Sequence, residues 1–131
     1  MVNMNFDFEK FYDVGTHLQN HSKKEEFQRS SISRYYYFVF HALKEYYEKS
    51  FRKTLSSNDS HSKLINELEN SPFEEENKLG EKMRYLRNNR NYADYNKKEL
   101  GNTHVADSKD TTDEIILQLN YLIKHPLRII K

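Results

Sequence analysis

Glycine and proline are scarce in this sequence, and their scarcity restricts the possible folds more than any other feature does. The 131 residues include 3 Gly and 2 Pro, the residue types on which tight turns between strands most often depend. No stretch sustains the alternation of apolar and polar residues that marks a half-buried strand, whereas apolar residues recur at helical spacing. The sequence therefore predicts an all-α fold, a bundle of four to five helices with short polar connections.

The helix limits are predicted from start signals and periodicity. Three segments resemble capping boxes, in which a hydroxyl and a carboxylate three residues later satisfy unpaired amides; they begin at Ser22, Ser71 and Thr111. Pro126 is expected to end the last helix. We expect helices at residues 5–20, 22–53, 60–70, 72–96 and 112–125, with exposed loops at 56–60 and 101–104.

Length and residue types also limit the class of protein. A chain of this length is expected to form a single domain, residues 1–131. Without Cys it has no thiol chemistry and no thiolate metal site. We find neither a long apolar run nor a leader-like N-terminus, so we expect a cytoplasmic protein without membrane contact. His17 and His21 have helical spacing but no third ligand nearby, so no metal or cofactor is expected.

The charge pattern confines any nucleic-acid role to one region. The net charge is +1, too small for a general attraction to RNA or DNA. Residues 82–98 nevertheless hold six Lys or Arg and one acid, whereas residues 66–76 hold five Glu and no base. The 10 Tyr and 8 Phe are interpreted mainly as packing residues, with stacking on bases as the alternative.

An arginine interrupts the apolar stripe of the predicted fourth helix. The stripe has helical spacing and consists of Leu79, Met83, Leu86 and Ala93, and Arg90 occupies its remaining position. Burying an unpaired cation is strongly unfavourable. Arg90 is therefore expected to meet a carboxylate, a ligand or polar groups of a partner subunit.

Residues around Arg90 form a candidate phosphate site. Asp94 lies four residues later, Arg87 one turn earlier, and Tyr95 next to Asp94, so donors, an acceptor and a phenol share one side of the helix. The alternative is an intrahelical ion pair of Arg90 and Asp94 with tyrosines that only pack. The residues by themselves favour this alternative.

The predicted second helix carries a row of polar side chains. From Tyr35 to Leu43 the helix is apolar or aromatic nearly all round, which is typical of a central helix. Arg34, Tyr37 and His41 lie at positions i, i+3 and i+7. His41 is a candidate general acid or base, and the more common alternative is a core histidine bonded to a carbonyl or a tyrosine.

Three segments resemble small prokaryotic HEPN proteins. Residues 33–42 are similar to the helix Ser-Arg-x-Tyr-Tyr-x-x-Phe-His-Ala of that family. His61 and Ser62 resemble the His-Ser pair that opens the family's next helix, and residues 90–95 resemble its Arg-x-x-Ala-Asp-Tyr motif. The segments occur in the family's order and cover roughly residues 22–96.

The resemblance implies a helical bundle that forms a homodimer through its second and fourth helices, with a shared basic cleft. Many HEPN proteins are metal-independent endoribonucleases with an Arg-Asn-x-x-x-His motif, in toxin–antitoxin or antiviral defence systems. Some are neutralised by a minimal nucleotidyltransferase encoded beside them. By this resemblance Arg90 and Asn91 begin the motif and Arg90 holds the scissile phosphate of RNA, with Asp94 orienting it. The expected supporting residues for RNA or a nucleotide are Arg34, Tyr37 and Arg87.

The sequence departs from the motif at Tyr95, which stands where the family has histidine. A phenol is a poor proton shuttle at neutral pH. Either His41 substitutes for the missing residue, or the chain is a non-catalytic adaptor for a nucleotide or a nucleotidyltransferase. A purely structural helical module is a third hypothesis. By family analogy, Tyr92 and Tyr95 are also candidate acceptors for nucleotide transfer.

Overall fold

The computed structural model of the chain describes residues 8–56, 58–101 and 103–128. In these ranges all regular secondary structure is helical, and none of the helices is long and apolar enough to span a membrane. The prediction of an all-α bundle is confirmed. The helices are α1 (Glu9–His21), α2 (Glu25–Phe51), α3 (Ser60–Glu69), α4 (Glu74–Tyr95) and α5 (His104–Lys124).

The three predicted capping boxes are wrong. The hydroxyl oxygen of Ser22 accepts the amide of Lys24, and α2 begins only at Glu25. Ser71 likewise accepts the amide of Phe73 two residues later, so α4 begins after Pro72 rather than at it. In both cases the serine closes a short turn before the helix instead of capping its first turn.

The fifth helix is longer than predicted, because it begins at His104 rather than at residue 112. Thr112 is therefore inside the helix, fully buried, and its hydroxyl donates to the carbonyl oxygen of Ser108 at 2.7 Å. Val105 and Ser108 extend the buried face toward the N-terminus. The predicted loop at 101–104 thus loses its last residue to the helix; residue 102 lies outside the described ranges.

The remaining limits differ by a few residues. Helix α2 ends at Phe51 rather than at residue 53, and Arg52 takes a left-handed conformation with φ of 56° that terminates it. The α3 prediction of 60–70 is confirmed to within one residue. The predicted start of the first helix at residue 5 lies outside the described residues.

Helix α2 is the centre of the bundle, as its aromatic sequence predicts. It packs against α1, α3, α4 and α5. Its side chains Tyr35, Tyr36, Val39 and Leu43 are fully buried, and burying each large one contributes roughly 1.5–3 kcal/mol. The central position of α2 gives its side chains access to residues of both α3 and α4.

Helix α4 presents the predicted apolar stripe to the core. Leu79, Met83, Leu86 and Ala93 are all buried. The helix approaches α3 closely at Gly80, where an added Cβ would lie 2.8 Å from Cγ of Glu69. Helices α2, α3 and α4 together define the surface on which the candidate site lies.

Candidate functional site

The guanidinium of Arg90 lies between α2 and the C-terminal turn of α4. Its side chain is 17% exposed, and its Nε lies 2.8 Å from Oδ2 of Asp94. The Nε–H is not directed at that oxygen, so the two residues form an ion pair without a hydrogen bond there. Nη2 donates to the hydroxyl oxygen of Tyr37 at 2.6 Å, and Nη1 donates to Oδ1 of Asn91 at 3.2 Å.

Three tyrosine rings surround this guanidinium. The Cζ atom of Arg90 lies 5.2 Å from the ring centroid of Tyr37 and 5.8 Å from those of Tyr36 and Tyr95. Such contacts contribute roughly 0.5–1 kcal/mol each at exposed sites and somewhat more when desolvated. The rings orient the cation, and the negative charge beside it comes from Asp94.

Arg87 places a second guanidinium one turn before Arg90. Its Nη1 donates to the hydroxyl of Ser62 at 2.7 Å, which connects α4 to the first turn of α3. Among the described residues, the buried side-chain nitrogens that lack a hydrogen bond are Nε of Arg87 and Nε of Arg90. A buried donor without a partner costs about 1–3 kcal/mol. Both Nε atoms are shielded from solvent, so an anion from solution would meet the terminal nitrogens of the two guanidinium groups.

His61 belongs to this site, although it is not among the site residues predicted from the sequence. Its Nδ1 lies 2.5 Å from the hydroxyl oxygen of Tyr36, and its ring stacks on Phe40 with centroids 3.8 Å apart. Burial, together with the charges of Arg87 and Arg90, lowers the pKa of His61 to about 4. The signal that could have indicated His61 was the His-Ser pair of the family resemblance.

Tyr36 is the buried partner of His61. Its side chain is fully buried, and burial raises the pKa of the phenol despite the opposing charges of Arg87 and Arg90. Tyr36 therefore keeps its proton at any physiological pH. The hydroxyl of Tyr36 fixes the imidazole of His61 from within the core.

His41 lies near His61, with the ring of Phe40 in contact with both, but it has no hydrogen bond to the groups around Arg90 in the described ranges. Its ring stacks on Phe8 with centroids 3.6 Å apart and also contacts Phe40. Burial lowers the pKa of His41, and Lys44 lowers it further. The contacts of His41 with α1 and α2 are therefore aromatic, and no hydrogen bond to a carbonyl or a tyrosine is found among the described residues; its role as a general acid or base stays a prediction.

The polar side chains predicted to form one row on α2 lie in different surroundings. Tyr37 faces Arg90, whereas Arg34 is exposed and its Cζ lies 5.7 Å from the ring centroid of Phe11 on α1. Phe11 and Tyr37 have ring centroids 6.2 Å apart, so Arg34 borders the site. The structure thus brings together Tyr37, Arg87 and Arg90, and leaves Arg34 at the margin.

The two candidate acceptor tyrosines differ in accessibility. Tyr95 is 73% exposed. Tyr92 is partly buried, and its hydroxyl donates to the carbonyl oxygen of Glu99 at 2.9 Å. Tyr95 is therefore the tyrosine with an open phenol beside Arg90.

The end of α4 is held by an arginine of α2. Arg29 donates from Nη1 to the carbonyl oxygens of Ala93 at 2.8 Å and Asn96 at 2.7 Å, and from Nη2 to that of Lys98. Carbonyls at a helix C-terminus have no partners within the helix. By binding them, Arg29 fixes the turn that carries Asp94.

The arrangement is suited to binding an anion. It offers two guanidinium groups, a hydroxyl and an imidazole near one carboxylate, the donor set that phosphate oxygens require. No group of three or more His, Asp or Glu in the described ranges is arranged to hold a metal ion.

Comparisons with known proteins identify no relative of this chain. A scan against family models found no matching family, and searches of curated proteins and of solved structures found no match for the chain. The family expectation therefore rests on the three sequence segments.

Proposed function

We propose that the chain is an RNA-directed HEPN-type protein of a toxin–antitoxin or antiviral defence system. In this proposal it binds the phosphodiester backbone at the site centred on Arg90. The observation that carries the proposal is that α4 places the guanidinium groups of Arg87 and Arg90 one turn apart, with Asp94 as the carboxylate beside Arg90 and the neutral Ser62 as the partner of Arg87. A phosphate supplies further negative charge, because Arg87 has no ion pair among the described residues and the partly exposed Asp94 pairs with Arg90.

The proposed reaction is metal-independent cleavage of RNA. The 2′-hydroxyl gives up its proton to water and attacks the adjacent phosphorus, the bond to the 5′-oxygen breaks, and that oxygen takes up a proton from water. The products are a 2′,3′-cyclic phosphate and a 5′-hydroxyl. Arg90 stabilises the charge that develops on the phosphoryl oxygens, with Arg87 as electrostatic support. Asn91 and Asp94 keep the guanidinium of Arg90 oriented.

A homodimer through α2 and α4 is part of the proposal. The exposed side chains of Arg34, Asn91 and Tyr95 lie around the site, and a second copy would place its own arginines opposite them in a shared cleft. Sedimentation at micromolar concentration tests this part, and a monomer would contradict it.

The cleavage test is incubation of the full chain with a mixed RNA pool. We expect Arg90→Ala to lower the cleavage rate by about 10²–10³-fold, the range for loss of one group that stabilises transition-state charge. Arg84→Ala is the matched control, because Arg84 lies on the same helix and is bonded to Glu69. His41→Ala is expected to cleave like wild type. Intact RNA at every concentration of the wild-type dimer would refute the ribonuclease.

A second candidate function is a non-catalytic adaptor that binds a nucleotide or a minimal nucleotidyltransferase partner. The exposed phenol of Tyr95 favours it, because Tyr95 stands where the family's catalytic histidine is expected. Binding of RNA or nucleotide that depends on Arg90, without any cleavage, would support the adaptor over the ribonuclease.

A further inference from the structure

His61 has one ring nitrogen bonded to the protein and one that reaches solvent. Nδ1 is paired with the hydroxyl of Tyr36. Nε2 has no hydrogen bond to any described residue. In those ranges the fully buried unpaired side-chain nitrogens belong to Arg87 and Arg90, so Nε2 of the half-buried His61 keeps some contact with solvent.

The hydrogen bond to Tyr36 determines which nitrogen carries the proton. Among the described residues the Tyr36 hydroxyl has no other acceptor within reach, and a buried hydroxyl proton requires one. Tyr36 therefore donates, and Nδ1 of His61 accepts. In the neutral imidazole the single proton must then be on Nε2, the accessible nitrogen.

The surroundings of His61 maintain this neutral state. The charged or titratable groups near it are Arg87 and Arg90 on α4, with Tyr36, Tyr37 and His41 on α2. None of these is an anion, and Asp94, the carboxylate on α4, pairs with Arg90, so these neighbours do not favour an imidazolium. Ser62, the next residue along α3, accepts a hydrogen bond from Arg87, which keeps His61 close to both guanidinium groups.

We propose that neutral His61 donates its Nε2–H to the phosphate that Arg87 and Arg90 bind, and that it recognises the ligand without transferring a proton. The inference rests on the proposed function, since it names a third donor of the same site. A neutral donor suits this position because it adds a hydrogen bond without adding repulsion between cations. The site then offers three N–H donors from two helices to one phosphate.

The first test measures binding of a fluorescein-labelled single-stranded oligoribonucleotide to the full chain by anisotropy. His61→Phe keeps a ring but removes the donor, and it should weaken binding about tenfold, the loss of one hydrogen bond to a charged group. His61→Gln retains an N–H at a similar distance from the backbone and should bind within about threefold of wild type. His17→Gln, an exposed site on α1, is the matched control, and circular dichroism checks that each variant folds.

The outcomes separate the inference from the proposed function. If Arg90→Ala loses binding but His61→Phe binds like wild type, the role of His61 is refuted and the RNA site stands. If wild type does not bind, or Arg90→Ala binds equally well, the proposed function itself fails. If His61→Gln binds normally but no longer cleaves RNA, His61 transfers protons and the neutral-donor role is overturned.

A second test does not depend on RNA. Nitrogen-15 NMR of the imidazole rings distinguishes the two neutral tautomers, and the His61 ring should carry its proton on Nε2 near pH 7. A proton on Nδ1 at that pH, or an imidazolium, would overturn the inference. In a Tyr36→Phe variant, His61 should lose its preference for one tautomer, while the contact between the two rings is kept.

Discussion

Most groups that contact the Arg90 guanidinium are uncharged. Tyr37 accepts a hydrogen bond, Asn91 accepts another, and the tyrosine rings provide cation–π contacts. Asp94 is the anion near it among the described residues, and its side chain is 27% exposed, so water screens part of that ion pair. Arg90 is thus held in place while its charge stays available for a ligand.

Tyr37→Phe tests how far the phenol positions Arg90. The substitution keeps the ring and removes the acceptor, so the guanidinium loses one of its fixed contacts and binding of RNA should weaken about three- to tenfold. The free energy of unfolding should fall by only about 1 kcal/mol. Tyr85→Phe, at an exposed tyrosine of α4, is the control. Unchanged binding in Tyr37→Phe would show that the phenol does not orient Arg90.

Glu76 should make the stability of the fold depend on pH. Its fully buried carboxylate is bonded to both Nη atoms of Arg128, at 2.6 and 2.8 Å, and accepts hydrogen bonds from Tyr46 and Ser71. Burial raises the pKa of Glu76, but the hydrogen bonds from Arg128, Ser71 and Tyr46 outweigh it, and the net pKa is lowered. The ionised form is therefore the one that stabilises the fold.

We therefore expect the contribution of Glu76 to be complete above its ordinary pKa of 4.5 and to be lost as pH falls through the lower folded-state value. Glu76→Gln should lower the free energy of unfolding near pH 7 by about 3–5 kcal/mol, because it leaves Arg128 without its carboxylate. Urea unfolding between about pH 3 and 7 measures both effects. The control is Glu74→Gln, at an exposed residue of the same helix, and an equal loss in that variant would contradict this account.

At the scale of elements, the closest approach of α3 and α4 depends on Gly80. A Cβ there would lie 2.9 Å from the backbone nitrogen of Glu69 and 3.1 Å from Cβ of Leu68, and backbone atoms of a packed helix cannot move aside freely. Gly80→Ala should therefore destabilise the protein by about 1–3 kcal/mol, despite the better helix propensity of alanine. Thermal unfolding measures the change. Gly101→Ala, whose Cβ would find its nearest neighbour at 3.5 Å, should be close to neutral, and equal effects of the two substitutions would refute the packing argument.

Periodicity predicted the elements better than start signals did. The stripes of α2 and α4 correctly identified the buried faces, because burial of apolar side chains dominates helix packing. The signals at Ser22 and Ser71 failed because each serine closes a turn ahead of the helix. The first two turns of α5 were missed because their buried residues include the polar Ser108, whose hydroxyl oxygen accepts a hydrogen bond from the side chain of Asn89 on α4.

The candidate site was only partly predictable from the sequence, because its residues come from more than one helix. Spacing along one helix identified Arg87, Arg90 and Asp94, which share a face of α4. Sequence spacing cannot show which side chain of another helix reaches that face. The contacts of Ser62 with Arg87, and of His61 with Tyr36, join residues 25 positions apart and depend on how α3 packs.

At the scale of the whole molecule, the salt dependence of RNA binding measures the number of phosphate contacts, and a net charge of +1 adds little general attraction to them. If Arg87 and Arg90 supply the phosphate contacts, a monomer neutralises about two phosphates and a dimer about four. For single strands the slope of log affinity against log salt should then be about −1.4 or about −2.8, respectively. Anisotropy titrations at increasing salt give this slope, and sedimentation of the same samples gives the oligomeric state.

The Arg87→Ala variant should reduce the slope by about 0.7 per protomer, and Arg84→Ala should leave it unchanged. A slope much steeper than that of the dimer would place RNA on a broad basic surface instead, including the lysines at 97 and 98, and would contradict a site confined to two arginines.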